Sequence, residues 1–142
     1  AHKRGLYTEG VGFKGNVDSC DPRYSFHWVG GSGVLYVFEA PVDMLSYITL
    51  YPGEWQQHSY VALCGVGSQA MLWMLEQYPQ LRKVTLCLDN DEAGHKASER
   101  LKNQLAEKGY PSQRLISKEK DWNDDLVAVG QHKQSGFEMK MA

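Results

Sequence analysis

The stretch Val84-Thr85-Leu86-Cys87-Leu88-Asp89-Asn90-Asp91-Glu92-Ala93-Gly94 decides the fold. Thr85 is the single non-apolar member of the run from Val84 to Leu88, which reads as a strand buried on both faces. Two aspartates follow, one residue apart. A glycine comes next, and then a helical pattern that puts Ala93, Ala97, Leu101 and Leu105 on one stripe. Open α/β sheets place their chemistry beyond the carboxyl ends of their strands. Asp89 and Asp91 stand at such an end, so the rest of the chain is read by what converges on them.

Upstream, Val34 to Phe38 is a continuous apolar strand, and Pro41 suits the first turn of a helix. Val42, Leu45, Ile48 and Thr49 give that helix its inward stripe, up to the break at Tyr51-Pro52-Gly53. Tyr60 to Leu63 reads as a second strand that ends at Gly65-Val66-Gly67. Ser68 is placed to cap a helix reaching Tyr78, before Pro79. With Met71, Leu72, Trp73, Met74 and Leu75, this helix is apolar nearly all round and is expected to be well buried. Downstream, a long helix runs from Ala93 to about Lys108 with Gly109 as its stop. Gln113 to Ile116 is a short fourth strand. Asn123 or Asp124 caps a last helix over Asp125 to Val129, followed by a polar tail, 131–142. Strands joined by helices of this length imply parallel pairing with right-handed crossovers. The expected fold class is α/β: a Rossmann-like parallel sheet of about four strands flanked by helices, over residues 34–130. Residues 1–33 differ. They hold seven glycines and short alternating pieces such as Tyr24-Ser25-Phe26-His27-Trp28, and read as a small antiparallel β element or a long ordered loop. Their aromatics are read first as packing residues, and second as a base-stacking platform.

Composition narrows the partners. At 142 residues the chain makes one domain with a real core. No apolar run approaches membrane-span length, so no membrane partner is expected. The polar start without a Met leads us to expect a piece cut from a longer protein. Cys20, Cys64 and Cys87 form no CxxC pair, which argues against structural zinc and for buried thiols in a cytoplasmic protein. The formal net charge of -2 lacks the basic excess of a protein that grips nucleic acid alone. A nucleic-acid partner then requires a cation and help from other domains.

The strand ends carry the chemistry. Glu39 follows the first strand, Gly65 the second, Asp89 and Asp91 the third, and Lys118 to Asp124 the fourth. Asp43, one helical turn past Glu39, is a fourth candidate carboxylate or a contact for phosphate or substrate. Clustered carboxylates repel and raise one another's pKa unless a proton or cation relieves them. An oxygen-only set favours Mg²⁺ or Mn²⁺, and such ions keep open positions for phosphate oxygens. A lone Asp-x-Asp is more often a solvated turn, and Asp43 alone is a helix-dipole acid. The coincidence of acids on one sheet edge favours the metal. Gly65, Gly67 and Ser68 form either a plain turn and cap or a phosphate-facing helix N-terminus. Lys118 and Lys120 with Asp121-Trp122-Asn123-Asp124 form either a solvated loop or one whose Lys neutralises phosphate and whose Asp holds a second metal. His58, His95 and His132 have no ligand spacing and are taken as surface residues.

This pattern resembles the Toprim domain, the catalytic module shared by bacterial-type primases, type IA and type II topoisomerases, small OLD-type nucleases and recombination-repair proteins. The resemblance rests on Glu39 in Val37-Phe38-Glu39-Ala40-Pro41-Val42-Asp43, Gly65 in Ala62-Leu63-Cys64-Gly65, and Asp89 and Asp91 in Leu88-Asp89-Asn90-Asp91-Glu92-Ala93-Gly94. Lys120-Asp121-Trp122-Asn123-Asp124 is similar to the K-D-x-N-D that closes many primase-type and mobile-element members. Ala40 departs from the Gly usual in primases. The resemblance covers about residues 34 to 127. It implies Mg²⁺ or Mn²⁺ held by Asp89 and Asp91, with Asp121 as a further ligand and Lys120 beside the chemistry. Glu39 would then be general acid/base or a further ligand while a phosphodiester bond is made or broken. Primase-like nucleotidyl transfer on DNA or RNA, within a larger replication or mobile-element protein, is the leading reading. A Toprim nuclease, a topoisomerase module and a non-catalytic DNA-binding module are the alternatives. A haloacid-dehalogenase-like phosphatase fits less well, because its Asp-x-Asp follows the first core strand and here it follows the third. The sequence gives no oligomeric state.

Overall fold

A computed structural model describes residues 14–15, 25–63 and 68–130. Five strands form one sheet: β1 (His27–Trp28), β2 (Val34–Phe38), β3 (Ser59–Ala62), β4 (Lys83–Leu86) and β5 (Ser112–Arg114). Their spatial order is β1-β3-β2-β4-β5; β1 runs antiparallel to β3 and every other pair is parallel. The helices are α1 (Pro41–Leu50), α2 (Gln69–Gln77), α3 (Glu92–Glu107) and α4, over residues 122–130. A single 3-10 turn, Trp55–Gln57, precedes β3. The sheet therefore has one strand more than expected, and that strand comes from the lead-in before residue 34.

Alternation along the central strands sorts the core into two layers. Leu35, Val37, Val61, Val84 and Leu86 face one side, where Met71, Met74 and Leu75 of α2 and Ala97, Leu101 and Leu105 of α3 cover them. Phe38, Tyr60, Ala62 and Cys87 face the other, against Met44 and Ile48 of α1 and Trp122 of α4. Two helices thus cover each face. The chain leaves β2 toward one face through α1 and leaves β4 toward the other through α3. Because β2 and β4 are neighbours, a crevice opens between their carboxyl ends. Strand order reverses there, and α/β sheets bind ligands at such a point.

Local expectations shift in informative ways. On α1 the buried residues are Asp43, Met44, Ser46 and Ile48, whereas Val42 and Thr49 are exposed. The helix is turned so that Asp43 faces the protein. On α3, Ala93 is exposed and Gly94 takes the buried place, because Gly94 packs directly on the main chain of Asp89. Ser68 precedes α2 but makes no side-chain capping bond. The cap of α4 is Asp121, whose carboxylate accepts the Asp124 amide at 2.8 Å, in place of Asn123 or Asp124. Gly109 ends α3 at φ +86°, a conformation that favours glycine. Cys87 is buried and free. Among the described residues no helix is long and apolar enough to cross a membrane.

Candidate metal centre

Three segments meet in the crevice between β2 and β4. Glu39 is the first residue after β2. Its Oε1 accepts the backbone N–H of Asp89, the third residue after β4, at 3.1 Å. One carboxylate oxygen each from Asp43, Asp89 and Asp121 lie within 4.8 Å of one another. Asp43 is buried in the first turn of α1, and Asp89 and Asp121 are half-buried. The four acids therefore come from three stretches remote in sequence, with Glu39 and Asp43 in one of them.

The Asp89-Asn90-Asp91 loop is tied at every residue. Asp89 offers its N–H to Glu39, and its carbonyl accepts Arg114 Nη2 at 2.8 Å. Asn90 donates its amide N–H to the Lys120 carbonyl at 2.6 Å and its side-chain amide to the Ser117 carbonyl at 2.9 Å. Asp91 caps α3 by accepting the Gly94 N–H at 2.7 Å. Asn90 thus draws the 117–121 loop toward β4, which is what brings Asp121 to Asp89. The same loop is fastened below by Asp125, whose two carboxylate oxygens accept the N–H groups of Lys118 and Glu119 at 3.0 and 2.7 Å. Trp122 anchors it from inside, donating its indole N–H to the Cys87 carbonyl at 3.0 Å. Asp43 is held in turn by the Asn123 N–H at 3.3 Å.

Charge accumulates here faster than it is paired. Asp89 is pushed up to about 7, first by burial and then by the neighbouring charges of Glu39, Asp43, Asp121 and Asp91. Asp43 rises to about 6, by burial and then by Asp121, against the lowering effect of its bond from Asn123. Burial also raises Glu39; Asp91 adds to that rise, while Lys120 and Arg114 oppose it. The Oδ1 atom of Asp89 is buried and has no hydrogen-bond partner among the described residues. A buried carboxylate oxygen without a partner costs on the order of 1–3 kcal/mol or more. A cation placed among three convergent carboxylates removes both that cost and the repulsion. The donor set, all hard oxygens, fits Mg²⁺ or Mn²⁺.

The acids expected from sequence divide by geometry. Asp89 and Asp121 join the convergent trio, together with Asp43, which sequence reasoning placed among phosphate or substrate contacts. Asp91 borders the trio with one oxygen engaged in its helix cap, and Glu39 borders it with one oxygen on the Asp89 amide. Lys120 is exposed and near enough to Glu39 to lower its pKa. Lys118 is exposed and lines, with Leu50, Tyr51 and Asp125, a groove beside α4. Gly65 and Gly67 lie outside the described residues; Ser68 is half-buried at the start of α2. His58 is half-buried, its Nδ1 paired with Ser32 Oγ at 2.9 Å, while His95 is exposed and His132 lies outside the described residues. Asn90 and Arg114 were missed. Both act through main-chain groups, and only their positions, inside the Asp-x-Asp and at the end of the fourth parallel strand, hinted at a role.

Comparison with known proteins gives the family and the fold. The Toprim-like family matches residues 36–126. An uncharacterized protein of Bacillus anthracis is 27% identical over 128 residues, covering 79% of this chain and 37% of that protein. An uncharacterized protein of Mycoplasma genitalium is 33% identical over 66 residues, covering 44% of this chain and 29% of that protein. The chain thus spans about a third of the length of these curated relatives. Among solved structures, the primase fragment of the bacteriophage T7 primase-helicase protein has the same fold, with a TM-score of 0.58 at 19% identity, over 94% of this chain and 69% of that one. A chain in the structure of T7 lagging-strand DNA polymerase with primase domains bound to an RNA/DNA hybrid and dTTP gives a TM-score of 0.53 at 26% identity, over 78% of this chain and 54% of that one. With its acids gathered at the switch point of the sheet and the family pattern running from β2 into α4, the chain belongs to the Toprim-like family.

Proposed function

We propose that this domain is the Mg²⁺- or Mn²⁺-dependent catalytic module of a larger nucleic-acid enzyme, and that its reaction is primase-like nucleotidyl transfer. The observation that carries the reading is the convergence of Asp43, Asp89 and Asp121 around the unpartnered Asp89 Oδ1. Similarity to chains from T7 primase structures supports the choice of making a phosphodiester bond over breaking one. The net charge of -2 supports a substrate held partly by other domains of the longer protein.

In this reading Asp43, Asp89 and Asp121 hold the cation, with Asp91 available through its free oxygen. A cation held there would neutralise phosphate oxygens and stabilise the charge that develops on them during transfer. Glu39 is kept beside that point by its bond from the Asp89 amide. As general base it would take a proton from the attacking hydroxyl. Lys120, on the 117–121 loop and near enough to lower the Glu39 pKa, offers a positive charge to the substrate's phosphates. Asn90 and Asp125 exchange no proton; they keep the 117–121 loop in register with β4.

The test is to assay the domain and its full-length parent with single-stranded template, nucleoside triphosphates and Mg²⁺ or Mn²⁺. The expected result is cation-dependent primer synthesis that Glu39→Gln and Asp89→Asn each lower by about 100-fold or more, the scale of losing a catalytic acid or base. Cation-dependent strand cleavage without synthesis would reassign the site to a nuclease. DNA binding with neither reaction would reassign the domain to an assembly module.

A further inference from the structure

We infer that Arg114 is a positioning residue of the carboxylate edge: it clamps the Asp89 main chain against the first turn of α3 and so fixes where the Asp89 carboxylate points. This rests on reading that edge as a divalent-cation seat. Arg114 ends β5, in register with Leu86 on β4, three residues before Asp89. Its Nη2 donates to the Asp89 carbonyl at 2.8 Å and its Nη1 to His95 Nδ1, on α3, at 2.6 Å. The second bond requires the His95 tautomer with its proton on Nε2. The same Asp89 carbonyl oxygen is the atom that a Cβ at position 94 would meet at 2.0 Å. One carbonyl is thus gripped between a guanidinium and the backbone of a helix, and the guanidinium is itself tied to that helix.

Charge alone does not explain the arrangement. A cation at this edge opposes the entry of a second one, so a purely electrostatic Arg114 would weaken metal binding. A planar fork that reaches two acceptors on two elements is a geometric device, and a lysine ammonium, with its charge at a single point, does not reproduce it. Groups that orient a metal ligand from outside the ligand set commonly change metal affinity 10- to 100-fold when replaced.

The experiment is calorimetric titration of Mn²⁺ into wild type, Arg114→Lys, His95→Ala and Asp89→Asn, with a thermal melt of each metal-free protein. Arg114→Lys keeps the charge and removes the fork; we expect its Mn²⁺ affinity to fall about tenfold. His95→Ala, an exposed position, is expected to show a smaller loss in the same direction. Wild-type affinity in Arg114→Lys, with or without a lower melting point, overturns the positioning role and leaves the metal seat standing. If Arg114→Lys does not fold, unchanged affinity in His95→Ala overturns the clamp. A wild type that binds no Mn²⁺, or an Asp89→Asn that binds it equally, overturns the metal seat itself and the clamp with it.

Discussion

At the scale of single residues, the site is defined by what Asp89 lacks. Its carboxyl is raised to about 7 and that of Asp43 to about 6, against ordinary values of 3.8. A carboxyl raised in the folded state binds protons there that the unfolded chain has already released. Between about pH 4 and pH 7 the folded domain therefore holds more protons, and its stability falls as pH rises through that window. Thermal melts in the presence of a chelator should show a melting point that climbs as pH drops from 8 toward 5, and Asp89→Asn should flatten the climb. At pH 8 the metal-free Asp89→Asn protein should melt higher than wild type, because one repelling charge is gone, and added Mg²⁺ should no longer raise it. A wild-type melting point that rises with pH over this range would contradict the crowded-carboxylate account. The acids were legible from sequence because a buried strand followed by Asp or Glu is a visible pattern. Asn90 and Arg114 were not, because they work on carbonyls and amides that every residue carries.

At the scale of elements, two of the contacts that hold the site's loops can be broken separately. Gly94 lets α3 begin directly on the Asp89 carbonyl; a methyl group there would stand 2.0 Å from that oxygen. Gly94→Ala forces main chain to move and should cost about 1–3 kcal/mol of stability, the scale of overpacking. It should also weaken Mn²⁺ binding, which denaturant titration and calorimetry would measure. The other contact is the Asp125 carboxylate under the 117–121 loop. Asp125→Ala leaves two amides without their acceptor and should cost about 1–3 kcal/mol. Its metal affinity should fall less than in Asp121→Asn, since Asp125 supports the loop and does not face the cation. Helix faces were only partly legible. The apolar stripe on α1 pointed to Val42 and Thr49, but a buried Asp43 turns the helix. A polar residue bound for a functional edge is invisible to a rule that counts apolar side chains.

At the scale of the whole molecule, the strand order places the site. Because α1 and α3 leave neighbouring strands toward opposite faces, the ends of β2 and β4 are left uncovered, and Glu39 and Asp89 occupy them. This much followed from the alternation of apolar strands and helices. The fifth strand followed only in part: His27 and Trp28 end the alternating piece that reads as an antiparallel β element, but a strand of two residues gives no sign that it pairs with β3 in the main sheet. Trp122 ties α4 to one face of the sheet. It is buried in the core beneath α1, and its indole N–H reaches the Cys87 carbonyl just before the Asp-x-Asp. Trp122→Ala should destabilise the domain by about 3–5 kcal/mol, seen as a large drop in the denaturant midpoint. The measurement that bears most directly on the account is the titration of Mg²⁺ or Mn²⁺ at pH 8 into wild type and into Asp43→Asn, Asp89→Asn and Asp121→Asn. Saturable binding in the wild type and at least tenfold weaker binding in each of the three variants is the expected result. Equal binding by wild type and all three would contradict the claim that these carboxylates form a metal centre.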